Sequence, residues 1–428
     1  MMEQRYQLVY KKTKTYRIDY TYDNRQRSQV DLWLALPAPS MSQRNIRILS
    51  QTPPQETALL PTGNPLAYYE IGAGQRVVLS FSFDAYETRL VPVKASGDQT
   101  VRETDGAAVL TDEERQFYLR STPLVPVTDE IREEALRIVG DALEPIEQAR
   151  RLFDHIVAHY RYHWPPQERG ALAMRCHKKG DCGEFAFLFA AYCRSLNIPC
   201  RTVIGAWATG TFQPHAWNEF FVDGVGWIPV DASVAAVMKN PVKQLAFVTR
   251  YGTRSSGRSY FGNLEGKRII FSFDSSLPLI PAYPDDTQPP VPEGYQSFMV
   301  GGEMLAWGYR SQQGNAPYLQ PAYVRFSGKP EPDKVSDYMG TWRVHETAFG
   351  SAASLWIKRI SFVLFFLFLF LYHGLSLFQM RLERLNTLST AFFTLLLLTL
   401  ILRREAYWVT YLFAVLMTLS LLSSFQLY

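Results

Sequence analysis

"KKGDCGEFAFLFAAYC", Lys178–Cys193, decides how this chain is read. Asp181 stands as an N-cap and Glu184, three residues on, completes a capping box, so a helix should begin at Cys182. Phe185, Leu188, Phe189, Tyr192 and Leu196 recur at helical spacing, and the helix should end near Asn197, with Pro199 beyond. The thiol of Cys182 then lies near the positive end of the helix dipole, where the reactive thiolate is favoured. Gly183 beside it leaves room for a substrate to approach. Cys182 has three readings: nucleophile, metal ligand or buried small side chain.

A nucleophile wants a base. Downstream runs "CRTVIGAWATGTFQPHAWNEFFVDGVGWIPVDAS" (200–233), in which "RTVIGAW", "HAWNEFFV" and "GWIPVDAS" read as strands and "VDGVG" as a hairpin turn. His215 and Asp231 each lie eight residues from Asp223, so both fall at the open end of that hairpin. A tight turn centred on Gly224–Val225 would set Asp231 opposite Asn218. A bulge near Gly224 or Gly226 would bring it to His215 instead. There Asp231 would hold the imidazole in one tautomer, and His215 would deprotonate Cys182 and later protonate a leaving amine.

"GDCGEFAFLFAAYCRSLNIPCRTVIG" followed by "HAWNEFFVDGVGWIPVDAS" resembles the transglutaminase-like superfamily of papain-type cysteine enzymes, in the manner of bacterial membrane-anchored members. The likeness covers roughly residues 125–285. "DHIVAHYRYH" resembles the helix that precedes the family's catalytic loop, although His155 stands where Trp is common, and "YFGNLEGKRIIFS" (260–272) looks like its closing strands. The resemblance implies Cys182 as nucleophile, His215 as base and acid, and Asp231 as orienting group. It also implies acyl-thioester chemistry on protein or peptide amides: proteolysis, deamidation or crosslinking. The Cys182 N–H is one natural oxyanion donor, and Tyr160, Tyr162, Trp164 and Gln167 are candidates for a second. Trp217 and Trp227 flank the catalytic strands and could wall a channel or pack the core.

Competing readings are weaker. A zinc site from Cys176, His177, Cys182 and Cys193 lacks paired Cys-x₂₋₄-Cys spacing. His155, His159 and His163 recur every four residues, but no fourth ligand is obvious and His163 falls toward or past the helix end. No metal and no cofactor is expected. Cys193 and Cys200 read as core residues and Cys176 as an ordinarily packed one. Transfer of an acetyl group from a thioester ranks last, because nothing resembles a coenzyme A phosphate site. The non-enzymatic alternative is a catalytically silent, membrane-tethered scaffold or peptide-binding module.

The expected fold class is α+β: an N-terminal antiparallel β-sandwich, a transglutaminase-like catalytic domain and C-terminal transmembrane helices. In "TYRIDYTY" and "LSFSFD" apolar and polar residues alternate, the mark of strands with one buried face, and "VDLWLALP" and "NIRILS" add more. Residues 1–110 form the sandwich. From Thr111 the pattern turns helical: Thr128 caps "TDEIREEALRIVGD", and Pro145 opens "PIEQARRLFDHIVAHY". The catalytic domain spans 111–285. Residues 286–352, rich in Pro and Gly, read as a linker with some irregular or short-strand structure.

Residues 353–428 read as an anchor of three spans, at 360–380, 386–402 and 406–426. Of 428 residues 47% are hydrophobic and 20% charged, and the net charge is +4. From Ser351 onward six Lys or Arg stand against two acids, so the tail carries all of that charge. The remainder is neutral, which argues against nucleic acid as a partner. Lys358, Arg359, Arg403 and Arg404 flank one side of the anchor and Arg381 and Arg384 the other, which places the catalytic part in the cytoplasm of a multi-pass membrane protein. The N-terminus lacks a signal-peptide apolar region, in agreement. The expected partners are a protein or peptide substrate and the membrane.

Overall fold

The computed structural model describes residues 6–93, 109–166, 168–208, 213–241, 243–244, 260–283, 297–300, 303–306, 314–327, 336–345, 352–380, 382–402 and 408–425. The chain falls into two compact units, residues 1–241 with 255–344, and residues 242–254 with 345–428. It is a mixed α+β protein with a strand-rich N-terminal region and apolar C-terminal helices.

Six strands open the first unit: β1 (Tyr6–Asp23), β2 (Val30–Ala35), β3 (Gln43–Gln51), β4 (Glu56–Leu59), β5 (Pro65–Ile71) and β6 (Arg76–Pro92). The alternating residues are the ones that turn inward. Tyr16, Ile18, Tyr20 and Tyr22 of β1 and Leu79, Phe81 and Phe83 of β6 are buried, and β1 pairs antiparallel with β6 along nearly its whole length. β2, flanked by β5, is buried at all six positions.

Three α-helices follow: α1 (Asp112–Leu119), α2 (Asp129–Val139) and α3 (Pro145–His159). The Thr128 hydroxyl accepts from the Ile131 N–H, and Pro145 occupies the first turn of α3, as the residue types require. Next come β7 (Arg161–Tyr162), α4 (Ala171–His177), β8 (Lys179–Gly180) and α5 (Cys182–Ser195). A four-stranded antiparallel sheet packs behind α5. It runs β11 (Gly226–Val230), β10 (Pro214–Val222), β9 (Cys200–Trp207), β13 (Arg268–Phe273), with α6 (Ala232–Met238) after β11 and β12 (Asn263–Leu264) before β13.

The stretch 286–352 is more than a connector. After β14 (Leu277–Pro278), β15 (Ser297–Val300), β16 (Glu303–Ala306) and β17 (Asn315–Ala316) come β18 (Ala322–Phe326), the short helix α7 (Ser336–Met339) and β19 (Thr341–His345). β18 pairs with β2, and β19 completes the sheet β12-β6-β1-β19, with β3 also on β6. The Tyr20 hydroxyl donates to the Met339 carbonyl at 2.9 Å and the Tyr22 hydroxyl to the Asp337 carbonyl at 3.0 Å. Trp342 and Tyr338 are buried in the same core as β1 and β6. These strands are hard to read locally because their partners lie some 300 residues away in the chain.

The second unit holds α8 (Ala352–Leu377), α9 (Glu383–Leu402) and α10 (Trp408–Phe425). Residues 353–377 and 383–402 are long and apolar enough to cross a membrane, with mean hydropathy 2.2 and 2.0. The apolar stretch of α10, Val409–Ser423, has 15 residues, which at about 1.5 Å each falls short of a hydrocarbon core about 30 Å thick. Two helices, rather than the three expected spans, therefore meet the length criterion among the described residues. α8 begins before Lys358 and Arg359 and ends at Leu377, where Gln379 turns the chain at φ 61°. α8 and α9 pack together: the Phe365 and Phe393 rings stack at 4.6 Å, Phe368 and Phe392 at 5.6 Å, and the Ser389 hydroxyl donates to the Phe365 carbonyl.

Trp342→Ala removes a ring that is 1% exposed in the strand-rich core. It is expected to cost about 3–5 kcal/mol, read by chemical denaturation of the full chain in detergent. A loss below about 1 kcal/mol would show that the C-terminal strands add little to the core.

Candidate active site

Cys182 opens α5 as the first helical residue. The Asp181 carboxylate accepts from the Gly183 N–H at 2.7 Å and also takes the Glu184 amide, while the Glu184 carboxylate receives the Asp181 N–H at 3.1 Å. The capping box thus consumes the amides on either side of Cys182. The Cys182 N–H, a first-turn amide with no intrahelical carbonyl, lies outside it.

The box rests on a buried cation. Arg169 grips Asp181 with two bonds, 3.1 and 2.9 Å, and reaches Glu184 at 3.2 Å. One guanidinium faces two carboxylates. Burial, opposed by Arg169 and reinforced by Asp181, pushes the Glu184 carboxyl up to about 8. Gly183 serves this network rather than a substrate. A Cβ there would lie 3.0 Å from Arg169 Nη1 and 3.2 Å from Asp181 Oδ1.

Cys182 as a residue is partly buried, and His215 and Asp231 are buried. Burial and then the Asp181 carboxylate push the thiol well above its ordinary value, against the Ala216 N–H and Arg169, which pull it down. This direction runs against the thiolate that the helix start favours. The dipole of one helix end does not offset desolvation with the capping anion one residue away.

β10 carries His215, and its register is fixed on both sides. His215 faces Gly205 of β9, and Asn218 faces Val230 of β11. The hairpin closes with Val222 opposite Gly226, a three-residue loop, so neither register expected for the turn is the one adopted. Asp231 lies one residue past the last pair, as N-cap of α6, and reaches His215 from there. Its Oδ2 accepts from His215 Nε2 at 2.7 Å, while its Oδ1 receives the Ser233 hydroxyl at 2.8 Å and the Val234 N–H at 3.0 Å. A ring donating from Nε2 presents its Nδ1 lone pair as the basic position.

α5 is tied to the same strand. Asn218 Nδ2 donates to the Ala186 carbonyl at 2.9 Å, and the N–H of Ala216, the residue after His215, is close enough to the Cys182 sulfur to oppose the rise of its pKa. Among the described residues the hydrogen-bonded pair is His215–Asp231, and no hydrogen bond joins the Cys182 sulfur to His215.

The sequence missed Arg268, on β13. Its Nη1 donates to Asp231 Oδ2 at 2.7 Å and its Nε to Glu265 at 2.8 Å. The guanidinium lies over Trp207 and Trp217, 4.6 and 4.9 Å from their centroids, and the same two rings flank His215 at 5.0 and 6.0 Å. Gly205 makes the space: a Cβ there would meet Trp217 at 2.9 Å and the Ile269 carbonyl at 2.0 Å. Trp217 is therefore a wall of the buried pair. Trp227 packs instead against Tyr118, Phe221 and Arg201.

Of the oxyanion candidates, Tyr160 is engaged by Lys178 at 2.9 Å and Tyr192 at 3.3 Å. Tyr162 and Trp164 are exposed, and Gln167 lies outside the described residues. A hydroxyl that no motif flagged belongs to Tyr318. Among the described residues it is buried without a hydrogen-bond partner, and Cys182 is among the groups whose charge acts on it. Cys193 and Cys200 are buried; Cys176, expected to pack, is exposed. Among the described residues no group of three His, Cys, Asp or Glu converges to hold a metal ion.

Residues 132–232 match the family described as the transglutaminase-like superfamily. The chain carries a transglutaminase-like domain. The match takes in Cys182, His215 and Asp231 and stops 36 residues short of Arg268. An uncharacterized protein of Haemophilus influenzae is 25% identical over 228 residues, 44% of this chain and 58% of that protein. The chain thus matches little more than half the length of that relative. A candidate cysteine protease from Cytophaga hutchinsonii is 19% identical, with a TM-score of 0.39 over 53% of this chain and 79% of that one. The periplasmic domain of TgpA from Pseudomonas aeruginosa is 14% identical, with a TM-score of 0.33 over 57% and 92%.

His215, Arg268 and the α6 amide hold the buried Asp231 carboxyl well below the usual carboxylate range, despite desolvation. A folded-state value below the unfolded one means that the contribution is complete above about pH 4 and is lost as pH falls further. Wild type should lose stability below about pH 4 more steeply than Asp231→Asn. Urea midpoints at pH 7, 4 and 3 test this. Parallel slopes would show that Asp231 does not carry the linkage.

Proposed function

We propose that this chain is a cysteine enzyme that acts on protein or peptide amide bonds through a thioester on Cys182. The observation that carries the reading is the buried His215–Asp231 bond beside the opening turn of α5. In the first step Cys182 gives its proton to His215 Nδ1 as sulfur attacks the amide carbonyl. A protonated resting thiol makes this general-base attack rather than reaction of a preformed ion pair. The Cys182 N–H faces the oxyanion of the tetrahedral adduct. The imidazolium then protonates the leaving amine as the C–N bond breaks, and Asp231 stabilises its charge meanwhile. Water or a second amine attacks the thioester, His215 takes that nucleophile's proton and returns it to sulfur, and the thiol is restored. Water as acceptor gives protease or amidase activity; an amine gives transamidation.

A thiol-reactive amide mimic should label Cys182, and His215→Ala should abolish that labelling. Against peptide libraries plus an amine probe, Cys182→Ala should fall to background and Asp231→Asn should lose about 10²–10⁴-fold in rate. Mass spectrometry of adducts and products reads both acceptors. A wild-type chain that folds, yet neither labels nor turns over, would favour the silent scaffold.

The second unit is the membrane anchor in this proposal. The segment before α8 and the one after α9 lie on one side of the membrane whether or not α10 crosses. That side carries Lys358, Arg359, Arg403 and Arg404 against Arg381 and Arg384 opposite. The positive-inside rule then places the catalytic unit in the cytoplasm. Exposed Cys176 offers a direct check: a membrane-impermeant maleimide should label it only after cells are opened. Labelling in intact cells would reverse the orientation.

A further inference from the structure

Asp231 Oδ2 is shared. It accepts from His215 Nε2 and from Arg268 Nη1, each at 2.7 Å, so the permanent cation and the ring nitrogen stand within about 5.4 Å of each other, with one oxygen between them. Both lie against the Trp207 and Trp217 rings. Arg268 and Asp231 are themselves buried, so little water screens their charges.

We propose that Arg268 is a positioning residue for the reaction set out above: it fixes the Asp231 carboxylate against the imidazole and biases that imidazole toward its neutral, proton-accepting form. The proposal deepens the cysteine-enzyme reading and rests on it. The geometry carries it. A carboxylate already neutralised by a guanidinium stabilises an imidazolium less than a lone carboxylate does. The base is thereby kept unprotonated while Asp231 still fixes its tautomer.

The charged and titratable groups facing this pair come from four elements. Asp231 caps α6. Arg268 lies on β13, with Glu265 just before it. Tyr260, whose ring is 5.9 Å from the guanidinium, precedes β12. At the start of α5, Cys182 and Asp181 stand together, and Arg169 offsets the Asp181 charge. Glu265 bonds Arg268 at its Nε, so it tempers the cation.

The test titrates the ring directly, in a chain that cannot turn over. Full-length Cys182→Ala protein with ¹³C-labelled histidine is followed by NMR in detergent, and the His215 signal is assigned by its loss in His215→Asn. Arg268→Gln in that background should raise the midpoint of the His215 signal by about one to two pH units. Arg268→Lys should leave it within a few tenths of a unit of the parent. Glu265→Gln, which keeps Arg268 and removes an anion, should lower it by less than one unit. Should Arg268→Gln fail to fold, the Glu265→Gln arm decides alone. An unmoved midpoint, or an upward one in Glu265→Gln, overturns the proposal. Because no turnover enters the measurement, these shifts can appear even if peptides are never cleaved, and peptides can be cleaved without them.

Discussion

A buried carboxylate needs every lone pair accounted for, and Asp231 meets that demand with four donors: His215, Arg268, the Ser233 hydroxyl and the Val234 amide. Each donor comes with its own structural consequence. Val234 makes Asp231 the N-cap of α6, so the start of that helix and the aim of the carboxylate are one choice. His215 ties it to β10. Arg268 draws β13 into the site, although β13 pairs with β9 and not with β10. Remove the carboxylate and a cation, an imidazole and a helix end all lose their common partner.

The Cys182 side of the site has a parallel construction with the opposite charge balance. There one cation, Arg169, serves two carboxylates, and burial together with the Asp181 charge pushes the Glu184 carboxyl up. The cap that starts α5 is therefore buried and rigid rather than solvated. Cys182 inherits a fixed backbone position and an unfavourable place for negative charge. A thiol in that setting resists ionising on its own.

How much of this could be read from the sequence follows from how local each signal is. The N-caps Thr128 and Asp181, Pro145 in its first turn and the alternation of β1 and β6 depend on neighbours within a few residues, and each element lies where the pattern put it. The β9–β10–β11 order was equally legible from turn spacing. The hairpin register was not, because a three-residue loop and a two-residue one leave the same Gly-rich trace. Arg268 left no trace: an Arg beginning an apolar strand looks like any solvated strand end until Asp231 and two indoles are placed around it. β18, α7 and β19 were hidden for the same reason at larger scale. A five-residue strand such as Thr341–His345 is defined by β1, far away in sequence, and the Pro- and Gly-rich text around it masks the pairing.

Gly205 shows how backbone and site constrain each other. It faces His215 across the β9–β10 ladder, and on both sides its missing Cβ is already occupied: by the Trp217 ring and by the Ile269 carbonyl of β13. A side chain there would push β13 away from β9 or turn Trp217 out of its stack. Either movement would pull Arg268 from Asp231, since Arg268 begins β13 and lies on Trp217. The geometry at the carboxylate is thus held by a close approach of three strands, and the smallest residue in the sheet is what allows the largest rings to enclose the smallest set of charges.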